Sequence, residues 1–255
     1  MDLQLRGKVA VVTGASAGIG LAVCEAFAAE GVSVVGGARH GPEREVAGLE
    51  LVQVDLACSD GPERLVARAV ELHGRLDVLV NNAGIGPVAA GFADEDDEDW
   101  SRVLEINLMA AVRSMRVALP HLCERGGTII NIASINARCP NPQIAAYSAS
   151  KAALLSAGKS VATEYGARGV RVVTVSPGSV GTRMWLGPDG AAERLAAQAG
   201  TTAGEVVAEA SAGIPRGRFA TTEEVAACVV FLSSPPAAAV SGVELVVDGG
   251  SSPAM

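Results

Sequence analysis

Residues 13–20 read Thr13-Gly14-Ala15-Ser16-Ala17-Gly18-Ile19-Gly20. The apolar run Val9-Ala10-Val11-Val12 stands just before them and an Ala-rich amphipathic stretch follows, so the glycines fall in the turn between a strand and a helix. Glycine lets the backbone turn tightly and approach a ligand closely, while the helix start offers unpaired N–H groups and the positive end of a dipole. A pyrophosphate suits such a place. The order strand, glycine loop, helix therefore points to a dinucleotide rather than to an ordinary Gly-rich turn.

Working outward, the same alternation recurs along the chain. Val/Ile/Leu runs at 8–13, 33–37, 51–54, 76–80, 128–133, 170–175 and 243–247 predict seven strands, and Ala/Leu-rich stretches at 19–29, 62–73, 98–125, 145–166, 204–212 and 222–232 predict helices between them. Several strands are apolar on successive residues, as in Val78-Leu79-Val80, which predicts a parallel α/β sheet covered by helices on both faces. No linker, repeat or low-complexity tract divides the chain, so one domain over 1–255 is expected. The stretch 182–218 breaks the alternation with Trp185, Gly187-Pro188 and Gly190 and is expected to form a lid.

Composition narrows the function. The chain has 255 residues, 49 % apolar and 3 % aromatic, and a formal net charge of −8. No apolar run reaches the ~18–20 residues of a membrane span, and Met1-Asp2-Leu3-Gln4 lacks the features of a signal peptide; a soluble, cytoplasmic protein is expected. Cys24, Cys58, Cys123, Cys139 and Cys228 are scattered and never spaced C-x-x-C, which predicts reduced thiols. His40, His73 and His121 show no ligand spacing, so no metal is expected. The run Asp94-Glu95-Asp96-Asp97-Glu98-Asp99 precedes Trp100 and an apolar helical pattern, where acids complement the helix dipole. Without a basic patch, nucleic-acid binding is disfavoured.

The chain holds two tyrosines and three lysines, so about 0.02 chance occurrences of Tyr-x-x-x-Lys are expected, few enough to answer the usual false-positive risk of a short motif. Tyr147-Ser148-Ala149-Ser150-Lys151 is such a motif. On a helix this spacing puts both side chains on one face, where an ammonium favours a phenolate and draws a tyrosine toward acid/base work. Ser134 closes the fifth strand at the end where open α/β sheets bind ligands, and its hydroxyl suits an oxygen on which charge develops. No G-x-S-x-G elbow surrounds Ser134, so an esterase with Ser134 as its nucleophile lacks support.

In these motifs the sequence resembles the short-chain dehydrogenase/reductase family over essentially its whole length. Thr13 to Gly20 fit T-G-x-x-x-G-x-G, Asn81-Asn82-Ala83-Gly84 fit N-N-A-G, and Asn107, Ser134 and the Tyr147/Lys151 pair follow in order. Pro177-Gly178 comes next, with Thr182 in the P-G-x-x-x-T position. The resemblance implies a Rossmann-type doubly wound sheet with Asn107, Ser134, Tyr147 and Lys151 as the catalytic set, Asn107 holding a water toward Lys151. It also implies a cofactor site of Gly14, Ser16, Gly18, Ile19, Gly20, Arg39, Asp55, Leu56, Asn82, Ala83, Gly84, Tyr147, Lys151, Pro177, Gly178, Val180 and Thr182. Asp55 matches the family's adenine-contacting acid, though a turn or N-cap role fits the residue equally. The second strand runs into Ala38-Arg39-His40 with no acid for a ribose 2′-hydroxyl; a guanidinium suits a 2′-phosphate, so NADP(H) is expected over NAD(H). Ala17 departs from this, since the position is often basic in NADP(H)-preferring relatives.

The expected function is an NADP(H)-dependent oxidoreductase that interconverts a ketone or 3-oxoacyl group and a secondary alcohol, with Tyr147 as general acid/base. Its alternatives are an NAD-dependent alcohol dehydrogenase of the same family and a non-catalytic NADP(H) sensor; an extended-branch epimerase is disfavoured because little sequence follows Val246-Val247-Asp248-Gly249-Gly250. The substrate is expected to be small and largely apolar, lined by Ile85-Gly86-Pro87-Val88, Ile135-Asn136, residues 140–144 and Met184-Trp185-Leu186. Trp185 is expected to fold over it, with Arg138 and Arg183 the nearest cations. By family analogy, the helices at 98–125 and 145–166 would build a homotetramer.

Overall fold

The computed structural model describes residues 1–86 and 91–252. Seven parallel strands form one sheet: β1 (Val9–Thr13), β2 (Ser33–Ala38), β3 (Leu49–Gln53), β4 (Val78–Asn81), β5 (Gly127–Ile132), β6 (Val170–Pro177) and β7 (Val243–Val247). Their order is β3-β2-β1-β4-β5-β6-β7. The chain leaves β1 toward one edge and returns at β4 toward the other, so a crevice opens at the carboxyl ends of these two strands. All seven predicted strands are present. β3 departs from burial on both faces: as an edge strand it is half-exposed, and Glu50 pairs there with Arg68 at 3.0 Å.

Alternate residues of each inner strand feed opposite faces. Ala10, Val12, Val34, Val80 and Ile130 pack under α1 (Gly18–Ala29), through Phe27, and under α9 (Thr222–Ser233), through Val225 and Val229. Val9, Val11, Val35, Leu79 and Ile129 pack under α2 (Gly61–His73), through Leu65, and under α4 (Ala110–Cys123), through Met115 and Leu122. Helix α5 (Ala145–Tyr165) lies on this second face through Ala157 and Val161.

The helix predicted over 98–125 is broken. It forms as α3 (Asp97–Leu104), one π turn (Glu105–Met109) and α4. Asn107, inside the π turn, accepts from the Ile85 N–H at 2.8 Å and donates to the Ile85 carbonyl at 3.1 Å. The helix widens to turn this amide toward a neighbouring loop, a common reason for a π turn near a functional site.

The stretch 182–218, where the sequence predicts a helix over 204–212, carries three short ones: α6 (Arg183–Leu186), α7 (Ala191–Ala199) and α8 (Ala203–Ala212). Its two ends meet, because the Gly181 N–H donates to the Ala220 carbonyl at 3.1 Å and the Ala220 N–H to the Ser179 carbonyl at 3.0 Å.

Gly20 decides how closely α1 approaches the glycine loop. A Cβ there would lie 2.1 Å from the Gly14 carbonyl oxygen and 2.4 Å from Asn82 Nδ2. In an open helix Gly→Ala stabilises by about 1 kcal/mol, but here the clash dominates. Gly20→Ala should therefore lose about 1–3 kcal/mol in urea denaturation; an unchanged or raised midpoint would show that the loop has room.

Candidate active site

The sequence builds the crevice by tying two strand ends together. Thr13 Oγ1 donates to the Val80 carbonyl at 3.3 Å and accepts from the N–H groups of Asn82 (2.9 Å) and Ala83 (3.0 Å). Asn82 Nδ2 donates back to the carbonyls of Thr13 (3.0 Å) and Gly14 (3.1 Å). Gly14 meets this amide at φ +68°, a left-handed conformation in which an added Cβ would lie 2.9 Å from Asn82 Nδ2. Above the tie opens a cavity of about 790 Å³.

One end of the cavity faces the start of α1. Gly14, Ser16, Ala17, Gly18 and Ile19 line it, and no side chain caps the helix, which leaves its first N–H groups for an anion. Arg39, His40, Asp55 and Leu56 line the rim beyond. Arg39 is exposed with no acidic partner among the described residues, while Asp55 Oδ1 accepts from the Ala57 N–H at 3.0 Å as a turn residue does.

At the other end stand Ser134, Tyr147 and Lys151. Ser134 and Lys151 are buried and Tyr147 is half-buried. Burial pushes the Tyr147 phenol above its ordinary value, and a hydrogen bond with Ser134 offsets this only in part. Burial also lowers the Lys151 ammonium from 10.5 to about 8. The sequence expectation that Lys151 draws the phenol down is not met in the free chain. The ammonium lies 5.7 Å from the Tyr147 ring centre and donates instead to the Ile132 carbonyl at 2.9 Å. That is its one hydrogen bond among the described residues, so two of its three donors are open toward the cavity. The open ammonium donors, the uncapped helix start and the unpaired Arg39 fit the ribose, pyrophosphate and 2′-phosphate of a dinucleotide.

Of the residues that the sequence assigns to the site, Asn82, Ala83, Gly84, Pro177, Gly178, Val180 and Thr182 also line the cavity. Two do not. Gly20 lies beneath the Gly14 carbonyl, and Asn107 is buried behind the wall, where Nδ2 also donates to Ser150 Oγ at 3.1 Å. At the substrate end Ile85, Ile135, Asn136, Asn141, Gln143, Ile144, Met184 and Trp185 line it, whereas Gly86, Pro140, Pro142 and Leu186 do not. Pro87 and Val88 lie outside the described residues. Trp185 packs edge-to-face on Phe219 with ring centres 5.0 Å apart. Arg138 is drawn away from the cavity by an ion pair with Glu244.

A family model described as enoyl-(acyl carrier protein) reductase matches residues 14–252. The chain is 40 % identical to an uncharacterized short-chain type dehydrogenase/reductase of Sinorhizobium fredii, with 98 % of this chain aligned but only 44 % of that relative's length. Two solved structures superpose closely. The L-sorbose reductase of Gluconobacter frateurii, complexed with NADPH and L-sorbose, gives a TM-score of 0.89 at 35 % identity, with 100 % of both chains covered. The 3-ketoacyl-(acyl-carrier-protein) reductase of Brucella melitensis, complexed with NADH, gives 0.84 at 29 % identity, covering 97 % of this chain and 99 % of that one. The chain belongs to the short-chain dehydrogenase/reductase family. It is accordingly an oxidoreductase by descent.

Family motifs do not reach every lining residue. His40, Arg194, Leu195 and Gln198 also face the cavity. The signal for the last three is helical spacing: Ala191, Arg194, Leu195 and Gln198 share one face of α7 and point inward together. Among the described residues no group of three or more His, Cys, Asp or Glu could hold a metal ion, and no helix is long and apolar enough to cross a membrane.

The depressed Lys151 ammonium has a consequence for stability. Below pH 8 folded and unfolded chains both carry the proton, and the fold bears the whole desolvation cost. Between about 8 and 10.5 the folded chain loses its proton first, so stability rises there. Relative to Lys151→Met, the native chain should gain roughly 3 kcal/mol of unfolding free energy across that window. Urea denaturation of both chains at the two ends of the window measures this, and a constant difference would place Lys151 in water.

Proposed function

We propose that the chain is an NADP(H)-dependent oxidoreductase interconverting a carbonyl, either a ketone or a 3-oxoacyl group, and a secondary alcohol. The observation that carries this reading is the meeting of buried Ser134 and Lys151 with half-buried Tyr147 on one wall of a cavity whose far end is the uncapped start of α1. Bound NADP(H) would supply the hydride. In the reductive direction Tyr147 gives its phenolic proton to the carbonyl oxygen, and Ser134 hydrogen-bonds the same oxygen and stabilises the charge that develops there. Lys151 holds the nicotinamide ribose with its open donors. Gly84 keeps a gap through which Asn107 holds a water toward Lys151: an added Cβ would lie 3.3 Å from Asn107 Oδ1 and 3.4 Å from Lys151 Nζ.

The preference for NADP(H) rests on Arg39, unpaired at the rim next to Ala38, where no acid is present to take a ribose 2′-hydroxyl. The substrate carbonyl lies among Ile85, Ile135, Ile144, Met184 and Trp185, which favours a largely apolar group; Arg183, Arg194 and Gln198 line the lid side. We assign 182–218 to a lid within one domain over 1–255, and the protein to the cytoplasm as a homotetramer. The latter is checked by light scattering coupled to gel filtration.

A panel of ketones, 3-oxoacyl thioesters, quinones and sugars, followed by NADPH absorbance, identifies the substrate class; no turnover of any member would support the sensor alternative. Tyr147→Phe should lower kcat by about 10²–10⁴-fold with NADPH affinity unchanged in fluorescence titration, and retention of the native kcat would remove Tyr147 from the chemistry. Arg39→Ala should cost about tenfold to a hundredfold in kcat/KM for NADPH and little for NADH. Equal losses for both cofactors, or a native chain faster with NADH, would contradict the cofactor assignment.

A further inference from the structure

Helix α5 carries Tyr147 as its third residue, yet it has no cap of its own. Ile144 at the N-cap, with φ −144° and ψ 49°, makes no side-chain hydrogen bond to the first N–H groups, because a hydrocarbon side chain has no acceptor. The Ala146 N–H is taken instead by Glu95 Oε2 at 3.0 Å, from 51 residues earlier in the chain. Within the acidic run, Asp96 is the N-cap of α3, accepting from the Glu98 and Asp99 N–H groups at 2.9 Å, and Asp97, Glu98 and Asp99 fill its first turn. Half-buried Glu95 turns away from that helix to the one bearing Tyr147.

We propose that Glu95 is a positioning residue that fixes the start of α5 and through it the aim of the Tyr147 hydroxyl. This rests on the reading of Tyr147 as acid/base. The carboxylate is a charge-assisted acceptor at the positive end of a helix dipole, one peptide before the tyrosine. Asn107 supplies a second clamp: it holds Ile85 at the other end of the same connection and bonds Ser150 Oγ at 3.1 Å, which in turn donates to the Tyr147 carbonyl at 2.6 Å. Ile85, through Asn107 and Ser150, and Glu95, through the Ala146 N–H, are therefore tied to α5 on either side of Tyr147. Displacements of an ångström at a reacting group are costly in rate, so loss of one clamp should appear in kcat before it appears in cofactor affinity.

The test compares Glu95→Ala and Glu95→Gln in the full chain, reading amide exchange over 144–150, kcat and KM for a carbonyl reduced by the native chain, NADPH affinity and the unfolding temperature. Glu95→Ala should speed exchange at Ala146 and Tyr147 and lower kcat about tenfold through misplacement of the hydroxyl, with NADPH affinity near native and the unfolding temperature lowered by no more than the roughly 2–4 °C of a lost cap. Glu95→Gln keeps an acceptor oxygen and should recover most of both effects. Unchanged exchange in Glu95→Ala, kcat within about twofold of native, no recovery in Glu95→Gln, or parallel losses of NADPH affinity and unfolding temperature would each overturn the proposal. If the native chain reduces no carbonyl, the acid/base reading fails while the exchange data still judge the cap.

Discussion

The Thr13 hydroxyl and the Asn82 amide together hold the two central strand ends, and the geometry of the crevice depends on that tie. Five hydrogen bonds of 2.9–3.3 Å join β1, the glycine loop and the turn after β4. Each contributes about 1 kcal/mol net, and separation of the strands would strand several partly buried polar groups at once. With the tie in place, Gly14 and Gly20 are compelled to be small, the α1 N-terminus is aimed along the cavity, and Gly84 arrives against Asn107 and Lys151. The two ends of the cavity are thus held by the same few bonds.

The second constraint is electrostatic. An ammonium at Lys151 is buried against a backbone carbonyl with no carboxylate paired to it among the described residues, a placement that costs stability. Asp77, at the amino end of the central strand β4, shows the ordinary arrangement of a buried charge: it takes Arg75 at 2.5 and 2.8 Å and the Val9 N–H at 2.9 Å. At the cavity wall a buried cation instead stands beside a raised phenol, and perturbed pairs of this kind in a cleft are candidates for chemistry.

Much of this was legible in the sequence because it is local. Strand and helix periods, the glycine spacing and the Tyr147/Lys151 register depend on neighbours within a few residues, and all seven strands lie where the apolar runs put them. What the sequence could not show depends on contacts between distant segments. The π turn exists because Asn107 reaches Ile85 across the site, and Glu95 leaves its own helix for one 51 residues away. Arg194 and Gln198 are unremarkable in an Ala-rich stretch until α7 is laid over the cavity. The direction of the Tyr147 shift is hidden in the sequence for the same reason: adjacency on a helix face brings the ammonium near, but burial raises the phenol and the ammonium donates to the Ile132 carbonyl.

The proposed role of Ser134, Tyr147 and Lys151 in hydride transfer requires the hydride of the nicotinamide to arrive at a carbonyl carbon. Single-turnover reduction of a carbonyl with NADPH deuterated at nicotinamide C4, on the transferred face, tests it most directly. Mass spectrometry should find the deuterium on the carbinol carbon of the product, with the hydroxyl proton drawn from water through Tyr147. An unlabelled alcohol, or deuterium washed into solvent, would contradict it.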